Sequence, residues 1–506
     1  MDEGAGLAEL IGAAHVALGE EALAYYASDI MVWEEARPPV AAVRPGSAAE
    51  VAAIVRYAGE RKLALVPRGA GLSYTGGVVA GGQRAIVLDL TRLDGVDIDA
   101  ENRTVRVGAG LSWEGLALAL AGGGLRPLQH GPISGQYSTV GGAVSQNVPG
   151  NLEGVLGLEV VLADASVARF GAGGIKDAPG FYRHYGPDLV GLFCGDCGSF
   201  GIKTAVTLRL VPERPAAFAS FAFPGPRELV AAMATLGRAN LGLRLFGMDA
   251  QKNRDATKVD AQTAFQTVRA VLGKGGNPLA RVGDLLQLGR AGANTAGAGW
   301  TLHATAEAAT PQAAASLLDA ARRELAGAGV EIDNVLPKTL HAKPYSVRGF
   351  VGREGERWVP IHGMVSLQRA VGTIGAIEDY LAANAERLAA LSITTGYFFS
   401  GVGPYVSMEP MFYWPDELDP IHLRYLSNRN RERFGGRDRN APARQAVWEL
   451  RDGIRGIFRE AGAVHAQIAR YYDYLGRIDP SAAQLVTRIK GALDPQRLIN
   501  PGSLGL

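Results

Sequence analysis

Cysteine is nearly absent from this chain: Cys194 and Cys197 are the two in 506 residues. That count excludes a disulfide framework and fits a reducing compartment. Long apolar runs are lacking too. Stretches such as Leu116 to Leu125 are short and rich in glycine, so a membrane-spanning helix is not expected. Nor does one sign of charge dominate. Lys plus Arg is 51 and Asp plus Glu is 50, and a net charge of +1 gives no field favouring nucleic acid or an anionic membrane surface. The N-terminus, Met1-Asp-Glu-Gly4, is acidic where an export signal is basic, and Glu9, His15, Glu20 and Glu21 break its apolar stretch. The expectation is a cytoplasmic protein with no nucleic-acid partner.

What is abundant is apolar residues, 47%, and glycine, 67 residues. At this length they predict two or three domains with substantial cores, many tight turns and close approaches of backbone to a ligand. The most informative stretch is Val66-Pro-Arg-Gly-Ala-Gly-Leu-Ser-Tyr-Thr-Gly-Gly77. It follows an apolar strand and is nearly free of bulk. Gly69 and Gly71 can adopt positive φ and turn successive N–H groups into one concavity, while Ser73 adds a hydroxyl and Arg68 a charge. A pyrophosphate suits such a cradle. The dinucleotide fingerprint of Rossmann folds does not fit, because the third glycine is misplaced and no helix opens after Gly71.

Residues 1–36 read as a helical lead-in ending in the aromatics Tyr25, Tyr26 and Trp33. Val40 to Val43 reads as a strand, Ser47 to Glu50 as a capping box, Val51 to Ala58 as one helix face and Leu63 to Val66 as the next strand, which ends on the cradle. Ile86 to Leu90 and Thr104 to Val107 read as strands, and Ser112 caps a helix over Trp113 to Ala121. A second glycine-rich segment, Pro132 to Asn147, offers more lining for the same ligand. Val155 to Leu162 and Ser166 to Phe170 read as a hairpin, and Phe200 to Leu210 as a strand after Cys194-Gly-Asp-Cys-Gly198. From Ala216 the texture changes to helices near 227–238, 311–326 and 374–390, with strands near 241–247, 298–305 and 358–366. A helix over Ala443 to Ala461, the aromatic Arg470-Tyr-Tyr-Asp-Tyr474 and a terminal helix before Asp494 close the chain.

Five ordered motifs then carry a resemblance: Pro67 to Gly71, Ser138-Thr-Val-Gly-Gly142 through Asn147, Val155 to Leu162, Gly195 to Ile202, and Asp494 to Gly502. The chain resembles the FAD-linked oxidases of the vanillyl-alcohol oxidase and p-cresol methylhydroxylase type, a group that includes glycolate oxidase and D-lactate dehydrogenase flavoproteins. The resemblance implies an α+β fold: a two-subdomain FAD-binding domain over 37–215, an α+β cap domain over 216–455, and a segment 456–506 returning to the FAD domain. It implies FAD as cofactor, held by Arg68, Gly69, Ala70, Gly71, Leu72 and Ser73, with further contacts from Ser138, Thr139, Gly142, Ser145, Asn147, Gly201, Ile202 and Asn500. It also implies hydride transfer from a small-molecule donor to flavin N5, with oxygen, a quinone or a cytochrome as electron acceptor. Formation of a homo-oligomer is compatible with it.

Departures from the family bear on chemistry. The His-x-Gly-Asp-Gly-Asn-x-His metal motif of the D-2-hydroxy-acid dehydrogenases is missing among the eight histidines, so no metal is expected. The Tyr-Arg pair of the phenol oxidisers is replaced by His465-Ala466. The first loop has no histidine, which excludes covalent flavin attachment there, although a cap-domain His or Tyr stays open. Two cysteines cannot complete a structural zinc site, and the Cys-Gly-Asp-Cys turn leads into a strand rather than a helix that would activate a thiol. His465 is the first choice of proton acceptor, with His303, His341 and His362 behind it. Arg470 with Tyr472, and Arg348 with Lys343 and Tyr345, are the candidates for holding a carboxylate or an aromatic ring. Met411 to Trp414 reads as core or pocket wall. The expected function is oxidation at a hydroxyl-bearing carbon, best a 2-hydroxy acid or other alcohol. A para-substituted phenol or aryl alcohol is the alternative, and an FAD-binding relay or structural subunit the alternative of another class.

Overall fold

The computed structural model describes residues 3–31, 33, 36–148, 152–250, 299–345, 350–401 and 403–506. Its first unit is built as the residues dictate. The strand Ala41–Val43 runs into Ser47, whose side chain accepts the N–H of Glu50 and starts the helix Ala48–Arg61. The returning carboxylate of Glu50 accepts from the N–H of Gly46, one residue before the cap. Lys62 ends the helix in a left-handed conformation, and the strand Ala64–Arg68 follows. Four strands form this sheet in the order Val16–Ala17, Ala41–Val43, Ala85–Asp89, Ala64–Arg68, with the last three parallel. Parallel strands need both faces covered, and every residue of Ala85–Asp89 is accordingly buried.

A second, antiparallel sheet is centred on the strand Ile202–Pro212, which pairs with Thr104–Gly108 on one side and Val155–Val161 on the other. The hairpin of Val155–Val161 with Val167–Phe170 forms as expected. Val96–Asp99, for which the sequence offers no strand signal, is an edge strand on Thr104–Gly108. Its exposed Val96 and Ile98 give no buried alternation to read.

The third sheet is antiparallel, with the path Val330–Ile332, Ala216–Phe223, Trp300–Glu307, Arg244–Met248, Thr394–Gly401, Tyr405–Trp414, Arg357–Pro360, and with Gly363–Ser366 also on Tyr405–Trp414. One face packs on the helices Pro226–Ala239 and Ala370–Ala383 through Leu229, Val230, Met233, Ile374 and Ile377. The other face is left for the site. The C-terminal segment returns to the first sheet: Leu65 N–H donates to Leu498 O, and Asn500 N–H to Leu65 O, each at 2.8 Å. It also touches the third sheet, where Met364 and Val464 form an isolated bridge.

Candidate active site

A cavity of about 870 Å³ lies between the glycine-rich segments of the first two sheets and the open face of the third. That volume is in the range of cofactor and substrate sites, roughly 300–1,000 Å³. Its floor is the loop Arg68 to Tyr74 with Ser138, Thr139, Gly142, Ser145 and Gly201. Two glycines are obligatory there. A Cβ on Gly69 would sit 2.3 Å from Thr139 Oγ1, and one on Gly71, at φ +75°, would sit 2.2 Å from Arg68 Nη2.

The loop's polarity is set from behind. Tyr425 donates to the carbonyl of Ala70 at 2.7 Å, and Ile30 N–H donates to the carbonyl of Ser73 at 2.9 Å. A trans peptide points its N–H opposite to its C=O, so anchoring these two carbonyls on the protein side turns the N–H groups of Gly71 and Tyr74 the other way. The N–H groups of Gly69 to Tyr74 make no hydrogen bond to the described residues. A cavity-lining loop with six N–H groups unspent on the described residues, at least two of them turned away from the protein side, and closed to any larger side chain at two positions, fits a pyrophosphate.

Arg68 itself is turned back. The residue is 1% exposed, and its guanidinium donates to Ser28 O at 2.8 Å and to Tyr25 O at 3.2 Å and lies over the rings of Tyr25 and Tyr26. Its charge is spent on the lead-in, and its share of the cradle is backbone. Ser73 donates its hydroxyl to Asp29 at 3.0 Å.

The opposite wall comes from strand alternation. Ser407, Glu409, Met411 and Tyr413 of Tyr405–Trp414 face the cavity, as do Phe398 and Ser400, Met248, Met364 and Trp358. Their neighbours Met408, Phe412 and Trp414 point into the core. Within this apolar wall sits one polar cluster. Tyr74 lies 3.2 Å from His362 Nδ1 and 3.4 Å from Glu409 Oε1, and it accepts from Gln467 Nε2 at 3.0 Å. His362 donates from Nε2 to Ala466 O at 2.9 Å, which leaves Nδ1 as an acceptor for the Tyr74 hydroxyl. Burial, with His465 nearby, lowers the pKa of His362 to about 3, so its ring is neutral at physiological pH. Burial and the Glu409 carboxylate push Tyr74 well above the ordinary phenol range.

The residues expected to do chemistry lie elsewhere. His465 is outside the cavity: Nδ1 donates to His362 O at 2.8 Å, Nε2 accepts from Arg477 at 3.2 Å, and the ring stacks on Tyr472 at 3.8 Å. The Met364–Val464 bridge pins the chain just before it and directs its side chain behind the wall. Tyr472 donates to the carbonyl of His362 and accepts from its N–H. Arg470 is a clamp, donating to Gly76 O, Val79 O, Pro501 O and Asn500 Oδ1. Arg348 lies outside the described residues.

Among the expected cofactor contacts, Asn147, Ile202 and Asn500 do not line the cavity. Asn147 is the left-handed C-cap of the helix Val140–Gln146, and Ile202 is fully buried at a strand start. Asn500 donates to Gly77 O and Cys197 O, tying the cradle to the Cys194–Gly198 turn. Lys203, also in the wall, is paired with Asp196 at 2.6 Å. Burial raises the thiols of Cys194 and Cys197 to about 11 and about 12, the reverse of a redox-active pair. No metal-binding group of His, Cys, Asp and Glu occurs among the described residues.

Sequence reasoning passed over Tyr74, Glu409 and Gln467 and ranked His362 low. The signal for the first was adjacency to the cradle; for Glu409 it was a lone acid in the apolar run Met408 to Trp414.

Residues 39–171 match a protein family described as an FAD binding domain. The D-lactate dehydrogenase of Archaeoglobus fulgidus is 28% identical over 252 residues, 46% of this chain and 55% of that protein. Glycolate oxidase subunit GlcD of Bacillus subtilis is 32% identical over 186 residues, 35% of this chain and 37% of that protein. The alignment thus spans about half or less of these relatives' lengths. The solved structure of p-cresol methylhydroxylase with substrate bound superposes with a TM-score of 0.70 at 17% identity, covering 100% of this chain and 96% of that one.

Proposed function

For this FAD-linked protein with the vanillyl-alcohol oxidase type of fold, we propose the oxidation of a hydroxyl-bearing carbon of a small molecule to the carbonyl, with a 2-hydroxy acid or other alcohol as donor. The observation that carries this reading is the Tyr74, His362, Glu409 and Gln467 cluster, which shares one cavity with the glycine-rich cradle. Two relatives bear the names of a lactate dehydrogenase and a glycolate oxidase subunit, which supports the donor class. Bound FAD supplies the two-electron acceptor at flavin N5.

The chain's own residues do the rest. The loop Gly69 to Tyr74 holds the pyrophosphate through backbone N–H groups. Tyr74 binds the donor hydroxyl, and its proton has two acceptors within reach, neutral His362 Nδ1 and the Glu409 carboxylate. Lys343 and Arg353, in the same lining, are placed to take a donor carboxylate. Trp358, Met364, Met411 and Phe398 exclude water and orient the carbon skeleton. We read 37–215 as the FAD-binding domain, 216–455 as the cap and 456–506 as the returning segment.

The test is anaerobic bleaching of the bound flavin by a panel of 2-hydroxy acids, neutral alcohols and phenolic alcohols. Reduction by hydroxy acids or simple alcohols supports the reading. Selective reduction by para-substituted phenols or aryl alcohols supports a second one, favoured by the aromatic and methionine wall around Trp358 and Tyr413. Bound flavin that no donor bleaches points to a relay or structural subunit. Oxygen, a quinone or a cytochrome would reoxidise it. No helix among the described residues is long and apolar enough to cross a membrane, and two unpaired cysteines fit a cytoplasmic setting.

A further inference from the structure

We propose that Asp29, on the lead-in segment ahead of the FAD-binding domain, is a positioning residue of the flavin site that holds the cradle loop in its pyrophosphate-receiving form. The inference rests on the reading of this loop as the FAD cradle.

Asp29 is 0% exposed, and each of its carboxylate oxygens accepts two hydrogen bonds. Oδ1 accepts from Met31 N–H at 2.9 Å and Trp33 Nε1 at 2.8 Å, both on the lead-in. Oδ2 accepts from Ser73 Oγ at 3.0 Å and Gly76 N–H at 2.8 Å, both on the loop. With Ile30 N–H on the carbonyl of Ser73, Asp29 and Ile30 together grip the loop at three points. Only an acceptor at both oxygens satisfies four donors. An asparagine would turn its NH₂ on either Met31 and Trp33 or Ser73 and Gly76.

The charge has no ion-pair partner among the described residues. The charged and titratable groups on the surrounding elements are otherwise engaged. Arg68 bonds the carbonyls of Tyr25 and Ser28, Arg470 that of Gly76, and Arg451 that of Tyr74. Tyr26 donates to Asp89, and Tyr74 belongs to the cluster with His362 and Glu409. Burial raises Asp29 to about 6, against the lowering by its four donors. A carboxylate kept in the interior with hydrogen bonds alone, and aimed at a loop that must present N–H groups to an anion, is a device for fixing that loop.

The experiment measures FAD dissociation from the purified full-length holoprotein, followed by the rise in flavin fluorescence on dilution, for wild type, Asp29→Asn and Ser73→Ala between pH 5 and 8. Asp29→Asn is expected to weaken FAD binding about tenfold or more at pH 7.5, and Ser73→Ala about threefold. Wild-type affinity should fall as pH drops through about 6, while Asp29→Asn is flat across that range. The flavin-free Asp29→Asn protein should melt no lower than flavin-free wild type at pH 7.5. Binding by Asp29→Asn within twofold of wild type overturns the proposal, and so does a variant whose flavin-free melting temperature falls in step with its affinity. Should the variant not fold, a flat wild-type pH profile overturns it alone. Wild-type protein that binds no FAD would remove the cradle reading as well.

Discussion

At the scale of single residues, the choice between two histidines decides the chemistry. His362 spends Nδ1 on the Tyr74 hydroxyl inside the cavity, whereas His465 spends Nδ1 on the His362 carbonyl and Nε2 on Arg477 behind the wall. His362→Gln should therefore slow flavin reduction by roughly 30-fold or more while retaining FAD, and His465→Gln should leave it within about threefold, both read by anaerobic stopped flow. Because His362 is held near 3, its own titration should leave no limb in the rate profile between pH 5 and 8. Gly71 is the corresponding test of the cradle. Gly71→Ala places a Cβ on Arg68 at a positive φ, and loss of bound flavin from the purified protein is the expected result. Asp29 carries a sign opposite to the usual acid. Its pKa is raised in the folded state, so at neutral pH the buried charge costs about 3 kcal/mol, and the cost is relieved as pH falls through 6.

At the scale of elements, the C-terminal segment works as a strap. It adds the Leu65–Ile499 bridge to the first sheet, and Arg470 and Asn500 gather the carbonyls of Gly76, Gly77, Val79, Cys197 and Pro501. Arg470→Ala should destabilise the protein by about 2–4 kcal/mol in denaturant unfolding, because it strands several part-buried carbonyls. It should leave donor KM unchanged in whatever holoprotein folds, since the guanidinium is spent within the strap. A rise in KM for carboxylate donors alone would return Arg470 to substrate binding. The hairpin of Thr394–Gly401 and Tyr405–Trp414 is the other decisive element, because its alternation alone puts Glu409 in the cavity and Phe412 in the core. That hairpin is not legible in the sequence: Met411 to Trp414 is continuously apolar and shows no alternation, and Pro410 argues against a strand.

At the scale of the whole molecule, histidines that burial keeps neutral govern acid stability, His130 and His465 among them at about 2 and about 4. His303, His362 and His422 are each held near 3 by burial, so the unfolded chain binds protons that the folded one refuses. Below pH 6.5 each removes up to about 1.4 kcal/mol of stability per pH unit, a steep loss against a total of about 5–15 kcal/mol. The guanidinium midpoint should be level from pH 7 to 8.5 and fall sharply from 6.5 to 5. Flavin acts in the other direction: saturating FAD at about 100 times its Kd should add about 2.7 kcal/mol, seen as a higher melting temperature than that of flavin-free protein.

The sequence by itself determined the cofactor half of this protein. A strand, a capped helix, a second strand and Gly69 to Gly77 are local features, written in periodicity, capping residues and positive-φ glycines, and they fold as read between Ala41 and Arg68. Tertiary structure alone decided what faces the cavity. His362, Glu409, Tyr74 and Gln467 come from four separated segments and meet only because strand register sets which side chains cross into the cavity. The lead-in likewise had no legible role until Asp29 and Tyr25 met the loop some 45 residues on. A one-residue shift in a strand reverses the face of every side chain, and that choice is made by the packing of whole sheets rather than by neighbours in the chain.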